Sequence, residues 1–258
     1  MRSIVVLLIV VGLILILFWQ YLNIGRFFLL NNYYPNENLN INKDGIHIGI
    51  IPDGNRRWLK ENNKTSDDIL KRWKMMEMLF DIDLIKTKIL RLNKNPDLLE
   101  YVNKINEISV YVLSIENLKR KDSSLEMVYK FIKKISKLDL HDMNINIIGK
   151  IDLLPFPVKK NIEKIVKKSN IKGKYTLNIA VSYDPVEDMK NFGINNRKQT
   201  QIDLVIRSGR EKRSSGFFPC HTLYSEWYFS DKLWPDMSEL DILKSLEYYS
   251  KKNRRFGK

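Results

Sequence analysis

The chain has 258 residues, 44% of them hydrophobic, which gives room for one sizeable α/β domain or two small ones. Lys and Arg number 44 against 30 Asp and Glu, a formal net charge of +14 that favours anionic partners: nucleic acid, lipid headgroups or phosphorylated small molecules. A single cysteine, Cys220, excludes an intramolecular disulfide, and His47, His141 and His221 are too scattered for a zinc site.

The chain opens on "IVVLLIVVGLILILFW", residues 4–19, an unbroken apolar run of roughly 24 Å as a helix. A secretory signal peptide is the rival reading. No small-residue cleavage site follows, so residues 1–22 read as an uncleaved single-span membrane anchor. Residues 23–44 are Asn-rich and read as a linker, and residues 45–258 as the folded domain. Within it, "HIGIIP" (47–52), "ISVYVLS" (108–114), "NINIIG" (144–149), "YTLNIAVSY" (175–183) and "DLVIR" (203–207) read as buried strands. Between them, 67–90, 123–138 and 156–170 carry apolar residues at helical spacing. A last helix is predicted from Ser238, with Asp241 completing its cap and Ile242, Leu243, Leu246 and Tyr249 inward. This alternation predicts an α/β fold: a central, mostly parallel sheet wrapped by helices, with ligands at the carboxyl ends of the strands.

Three polar segments sit where those strands end. "DGNRRW", 53–58, places Asp53 and Gly54 beside the forked donors of Arg56 and Arg57, which suit phosphate oxygens. A carboxylate among arginines makes sense if a divalent cation such as Mg²⁺ bridges it to the phosphate; the plainer reading is a tight turn. "SIENLKR", 114–120, puts Asn117 and Arg120 on one face if it turns helical, or is simply a solvated helix start. "IDLVIRSGREKRSSGFF", 202–218, surrounds Gly209 with Arg207, Arg210, Lys212 and Arg213 ahead of Ser214 and Ser215, a candidate oxyanion cradle. A nucleic-acid loop would want interleaved aromatics for stacking, which are missing. Downstream, Glu226 sits among Tyr224, Trp227, Tyr228 and Phe229 and needs an arginine or metal partner if buried.

Taken in order, "DGNRRW", "SIENLKR", "DLVIRSGREKRSSGFF" with "YSEWYFSDKLWPD", and the closing "RRFG" resemble the signatures of the cis-prenyltransferase family, over roughly residues 45–257. The resemblance implies a parallel sheet with an elongated apolar tunnel, assembled as a dimer, homomeric or heteromeric. It also implies condensation of isopentenyl diphosphate with an allylic diphosphate, farnesyl diphosphate being the expected primer, to make a long polyprenyl diphosphate. Carried over by position, Asp53 is the Mg²⁺-linked catalytic aspartate and Glu226 the second metal contact. Gly54, Asn55, Arg56, Arg57 and Trp58 line the allylic diphosphate site. Ser114, Glu116 and Arg120 accompany Asn117, the expected proton acceptor or orienting group. Arg207, Arg213 and Ser215, with Ser214 beside them, hold isopentenyl diphosphate, and Arg255 reaches the neighbouring subunit's diphosphate.

Four places depart from the family pattern. Ile69 and Leu70 stand where it has Gly-His, and "SYDPVED" (182–188) where it has Tyr-Gly-Gly-Arg. Arg210 replaces a glycine and Leu118 a tryptophan. They motivate the rival reading, a catalytically silent, membrane-anchored subunit of a heteromeric enzyme; the retained Asp53 and Glu226 argue against it. A cytosolic face, on the endoplasmic reticulum in a eukaryote, is the expected location of the domain.

Overall fold

The computed structural model describes residues 45–140, 142–191 and 200–255. The apolar run, the linker and His141 lie outside those residues. The chain divides into two units, residues 40–190 with 199–258 and residues 1–39 with 191–198; the description that follows is of the first. No helix among the described residues is long and apolar enough to cross a membrane.

Strand β1 (Ile46–Ile51) leads into helix α1 (Asn55–Glu61). Helices α2 (Ser66–Arg72), α3 (Lys74–Met78), α4 (Ile82–Leu92) and α5 (Leu98–Lys104) precede β2 (Ile105–Tyr111). Helix α6 (Ser124–Ile135), β3 (Met143–Ile148), α7 (Phe156–Val166), β4 (Tyr175–Ala180) and α8 (Pro185–Asn191) follow. The chain then forms β5 (Leu204–Arg207), β6 (Glu226–Phe229) and α9 (Glu239–Ser250). All six strands pair in parallel, in the order β3-β4-β2-β1-β5-β6.

The two faces of the sheet differ. Ile48 and Ile50 of β1, Ile108 and Val110 of β2, and Leu204 and Ile206 of β5 point to one face, where helices α1 to α7 and α9 bury their apolar sides. The other face carries a smaller cluster of strand residues closed by Phe217 and Phe218. Beside that cluster runs a buried polar row. The His47 ring lies 2.8 Å from Ser109 Oγ, and Asn178 Nδ2 donates to Glu107 Oε1 at 2.7 Å. Asn146 Nδ2 in turn donates to Asn178 Oδ1 at 2.8 Å.

The predicted strands and parallel sheet are present, and Ile242, Leu243, Leu246 and Tyr249 are buried as expected. The single helix predicted over 67–90 is instead three. Trp73, Met75, Met76, Met78, Leu79 and Phe80 are all buried, a density that one amphipathic face cannot hide. The chain therefore breaks at Trp73 and again before Asp81, whose carboxylate caps α4 by accepting from Leu84 N at 2.9 Å. Strand β6 and helices α5 and α8 have no counterpart among the predicted elements.

The expected cap on α9 is formed: Asp241 Oδ2 accepts from Ser238 N at 2.8 Å and from Ser238 Oγ at 2.7 Å. Replacing Ser238 with alanine is expected to cost about 1 kcal/mol. The urea midpoint should fall with its slope unchanged, and an unmoved midpoint would show that Asp241 and Lys232 hold the helix start without it.

Candidate active site

Where β1 and β5 end, side by side, the chain builds an ion pair. Ile51 is level with Arg207, and two residues past Ile51 the Asp53 carboxylate accepts from Arg207 Nη2 at 2.8 Å. The Arg207 side chain is only 3% exposed, the Asp53 side chain 33%. Arg207 Nη1 donates to Ser215 Oγ at 2.7 Å and to the Arg213 carbonyl, so one guanidinium ties the aspartate to the basic loop. Asp53 Oδ1 accepts from Gly54 N at 2.6 Å, and Arg57 Nη2 lies 3.3 Å from Oδ2.

Two glycines permit this closeness. Gly54 has φ 99°, and a Cβ there would lie 2.8 Å from Leu233 Cδ2. Gly209 has φ 97°, and its Cβ would meet Arg57 Nη2 at 2.8 Å and the Asp53 carbonyl carbon at 2.9 Å. Arg210, which stands where the family pattern has glycine, keeps a left-handed backbone at φ 70°. Its guanidinium forks onto Glu61 at 2.8 and 3.2 Å, fastening the loop to the end of α1.

These residues border a cavity of about 720 Å³ that gathers all three motifs. Asp53, Gly54, Asn55, Arg56 and Arg57 come from the first. Ser114, Glu116, Asn117 and Arg120 come from the second, and Arg207, Arg213 and Ser215 from the third. Residues Glu116–Lys119 form one turn of 3₁₀-helix, which sets Asn117 and Arg120 at the rim. Its start is held by Asn117 N donating to Ser114 Oγ at 3.3 Å. Arg56, Arg57, Lys60, Arg120, Arg207 and Arg213 outnumber Asp53, Glu116 and Glu211, so the polar lining of the cavity is cationic. Burial, with Arg56 close by, lowers the Arg120 pKa. Burial, with Glu116 close by, raises that of Tyr111, which stays a donor to the Ser215 carbonyl at 3.3 Å. Apolar side chains complete the lining: Met76, Met127 and Val128 beside Trp73 and Phe131, whose rings meet edge-on at 4.6 Å, with the Trp73 indole donating to Asn55 Oδ1 at 3.1 Å.

Several expected site residues lie elsewhere. Trp58 is 3% exposed in the core; its indole donates to Asp236 Oδ1 at 2.9 Å, because α1 turns it inward beneath Arg72. Ser214 does not border the cavity; its hydroxyl accepts from Gly216 N. Glu226 opens β6 level with Leu204, about 10 Å of strand rise before the level of Arg207. Within one chain it is therefore not brought to Asp53. Arg255 is exposed and away from the cavity, while Arg254 bonds Asp203 at the amino end of β5. Ile69 and Leu70, at the family's Gly-His position, pack into the core instead of facing the cavity. Lys60, Tyr111 and Glu211 line the cavity without having been expected there; Glu211 adjoins the third motif's arginines, the one signal that could have marked it.

No group of three or more His, Cys, Asp or Glu side chains is placed to hold a metal ion among the described residues. A Mg²⁺ shared with substrate phosphates needs only one or two protein carboxylates. Asp53 fits that role through Oδ1, which meets Gly54 N and keeps a second lone pair, while Oδ2 faces Arg207 and Arg57.

The family model described as "Putative undecaprenyl diphosphate synthase" matches residues 97–193 and 187–257, so the first motif precedes the matched region. An isoprenyl transferase of Rickettsia typhi is 30% identical over 238 residues, covering 82% of this chain and 97% of its own. A tritrans,polycis-undecaprenyl-diphosphate synthase (GGDP specific) of Sulfolobus acidocaldarius is 30% identical over 253 residues, covering 83% and 90%. Among solved structures, lavandulyl diphosphate synthase from Lavandula x intermedia, in complex with dimethylallyl diphosphate, matches with a TM-score of 0.62 at 22% identity. It covers 83% of this chain and 99% of that one, a likeness of fold. The parallel sheet, the ordered motifs and the match across more than half of the chain lead to one conclusion: the chain belongs to the cis-prenyltransferase family, that of the undecaprenyl diphosphate synthases, and is a transferase of prenyl groups.

Proposed function

We propose that the cavity condenses isopentenyl diphosphate with an allylic diphosphate to make a polyprenyl diphosphate. The observation that carries this is the mixed lining of one cavity: three motifs supply cations, and Trp73, Met76 and Phe131 an apolar wall. Diphosphates suit the cations and a growing hydrocarbon the apolar wall. Arg56, Arg57 and Arg120 hold the allylic diphosphate, and Arg207, Arg213 and Ser215 the isopentenyl diphosphate. As the allylic carbon–oxygen bond breaks, negative charge collects on the departing diphosphate, and fixed guanidinium groups stabilise it. The new carbon–carbon bond forms at the terminal alkene carbon of isopentenyl diphosphate, and loss of a proton leaves the double bond. Asn117 orients the reacting group. Asp53 holds Mg²⁺, which when bound supplies further charge neutralisation at the leaving group. The relatives matched are named isoprenyl transferase and undecaprenyl-diphosphate synthase, which supports an active enzyme over the silent accessory subunit that the four departures suggest.

The apolar run 4–19 supports a membrane anchor, a lipid product suits an enzyme held at that surface with its domain on the cytosolic side, and the family resemblance supports a dimer. Arg255 and Glu226, both away from the cavity of their own chain, are the residues through which a neighbouring subunit would act.

The direct test is incorporation of labelled isopentenyl diphosphate by the full chain in detergent with Mg²⁺ and farnesyl diphosphate. Absence of incorporation with every allylic diphosphate tried would overturn the proposal. Asp53→Asn should lower kcat by at least about a hundredfold. Because it also weakens the hold on buried Arg207, it should cost about 1–3 kcal/mol of stability, read from urea unfolding. Retention of full turnover would remove Asp53 from the mechanism. Gly209→Ala should raise KM for both diphosphates by pushing the loop off Asp53; unchanged kinetics would show that the approach of the loop is immaterial. Asn63-Lys64-Thr65 is a glycosylation sequon at an exposed turn, and a glycosidase-sensitive mass shift there would overturn the cytosolic placement.

A further inference from the structure

Glu211 occupies an unusual place in the cavity. Arg57 Nη1 lies 3.2 Å from its Oε1, and Arg213 Nη1 donates to its Oε2 at 2.6 Å. One arginine comes from the first motif and the other from the third, so this carboxylate bridges the two halves of the cationic rim. Asp53 also bridges the motifs, but it is fastened by Gly54 N and by buried Arg207. Glu211 has no such fastening. Its side chain is 34% exposed, and the groups it holds are 35% and 63% exposed. It therefore takes up two guanidinium groups that also face the cavity, with a single negative charge and through partners that are themselves partly exposed.

We propose that Glu211 is an internal anion: in the substrate-free site its carboxylate stands in for a diphosphate, and substrate binding exchanges one for the other. The inference rests on the prenyl diphosphate reading of the cavity. A diphosphate offers more charge and more acceptor oxygens than one carboxylate, so it displaces Glu211 from both arginines. A monoanion of weaker charge gains too little from the exchange. Glu211 thus sets a threshold for entry, and the affinity observed for any anion is lowered by the strength of the internal pair. Holding Arg57 and Arg213 on one carboxylate also keeps two like charges from repelling across the rim before substrate arrives.

The test is calorimetric titration of the full chain in detergent and metal-free buffer, with inorganic diphosphate and, separately, inorganic phosphate. Wild type, Glu211→Gln, Glu211→Ala and Arg213→Ala are compared, with circular dichroism to establish that each is folded. Glu211→Gln and Glu211→Ala should bind diphosphate roughly three- to tenfold more tightly than wild type, two partly exposed pairs having been removed. Both should also gain measurable affinity for phosphate, narrowing the preference between the two anions. Unchanged or weaker diphosphate binding in both variants would overturn the proposal, leaving Glu211 as a residue that merely orients the arginines. If Arg213→Ala weakens diphosphate binding while the Glu211 variants match wild type, the cavity reading stands and only the exchange fails. If Arg213→Ala also changes nothing, diphosphate does not bind at this rim, and the functional reading falls together with the inference.

Discussion

A buried arginine has to be neutralised, and in this protein that requirement organises the site. Arg207 ends β5 almost wholly out of water, and Asp53 is the carboxylate that meets it. The pair forces the loop after β1 and the loop after β5 to meet. Ser208 Oγ donates to the Asp53 carbonyl at 2.8 Å, and Trp234 N reaches the same oxygen at 3.0 Å. Arg207 then spends its remaining amine on Ser215 and the Arg213 carbonyl, which curls the basic loop back over the strand end. Stability and the proposed chemistry thus draw on the same side chains, and the aspartate assigned there to the metal is also a structural counter-ion.

Around that pair the cavity combines an ionic and an apolar lining. The ionic lining is built from loops, where backbone irregularity lets N–H groups and guanidinium forks converge. The apolar lining is built from helices α3 and α6 and the Trp73 that precedes α3. This division places charge stabilisation and chain accommodation on different elements. The two sets are joined where the Trp73 indole donates to Asn55 Oδ1 at 3.1 Å.

What the sequence revealed, and what it withheld, follows from the range of the interactions involved. Buried parallel strands read as short apolar runs whatever they pair with, so β1 to β5 were legible. The cap at Ser238 was legible because both of its partners lie within three residues. Strand β6 was not: "EWYF" is half-buried along its length and shows no alternation. Trp58 stands inside a binding motif, yet its role is decided by Asp236, 178 positions away. Glu211 likewise takes its meaning from Arg57, 154 positions distant. The three motifs gave the site's membership because they fall at strand ends. Which motif side chains turn inward to the core and which face the cavity depended on packing that only the fold supplies.

The buried polar row on the second face has a consequence for how the sheet finds its alignment. Slide β1 by two residues against β2 and every isoleucine still lands on its apolar face, so the hydrophobic side alone distinguishes the two arrangements poorly. The same slide would carry His47 about 6.6 Å from Ser109 and strand polar groups without partners in the interior. Glu107, Asn178 and Asn146 extend that lock across the next two strands. A row of polar side chains remote from the cavity thereby acts as a gauge for strand height. On the β5 side His47 N donates to Asp203 Oδ2 at 2.9 Å, just before β5 begins, so the same residue sets the height at which an aspartate leaving β1 meets an arginine finishing β5.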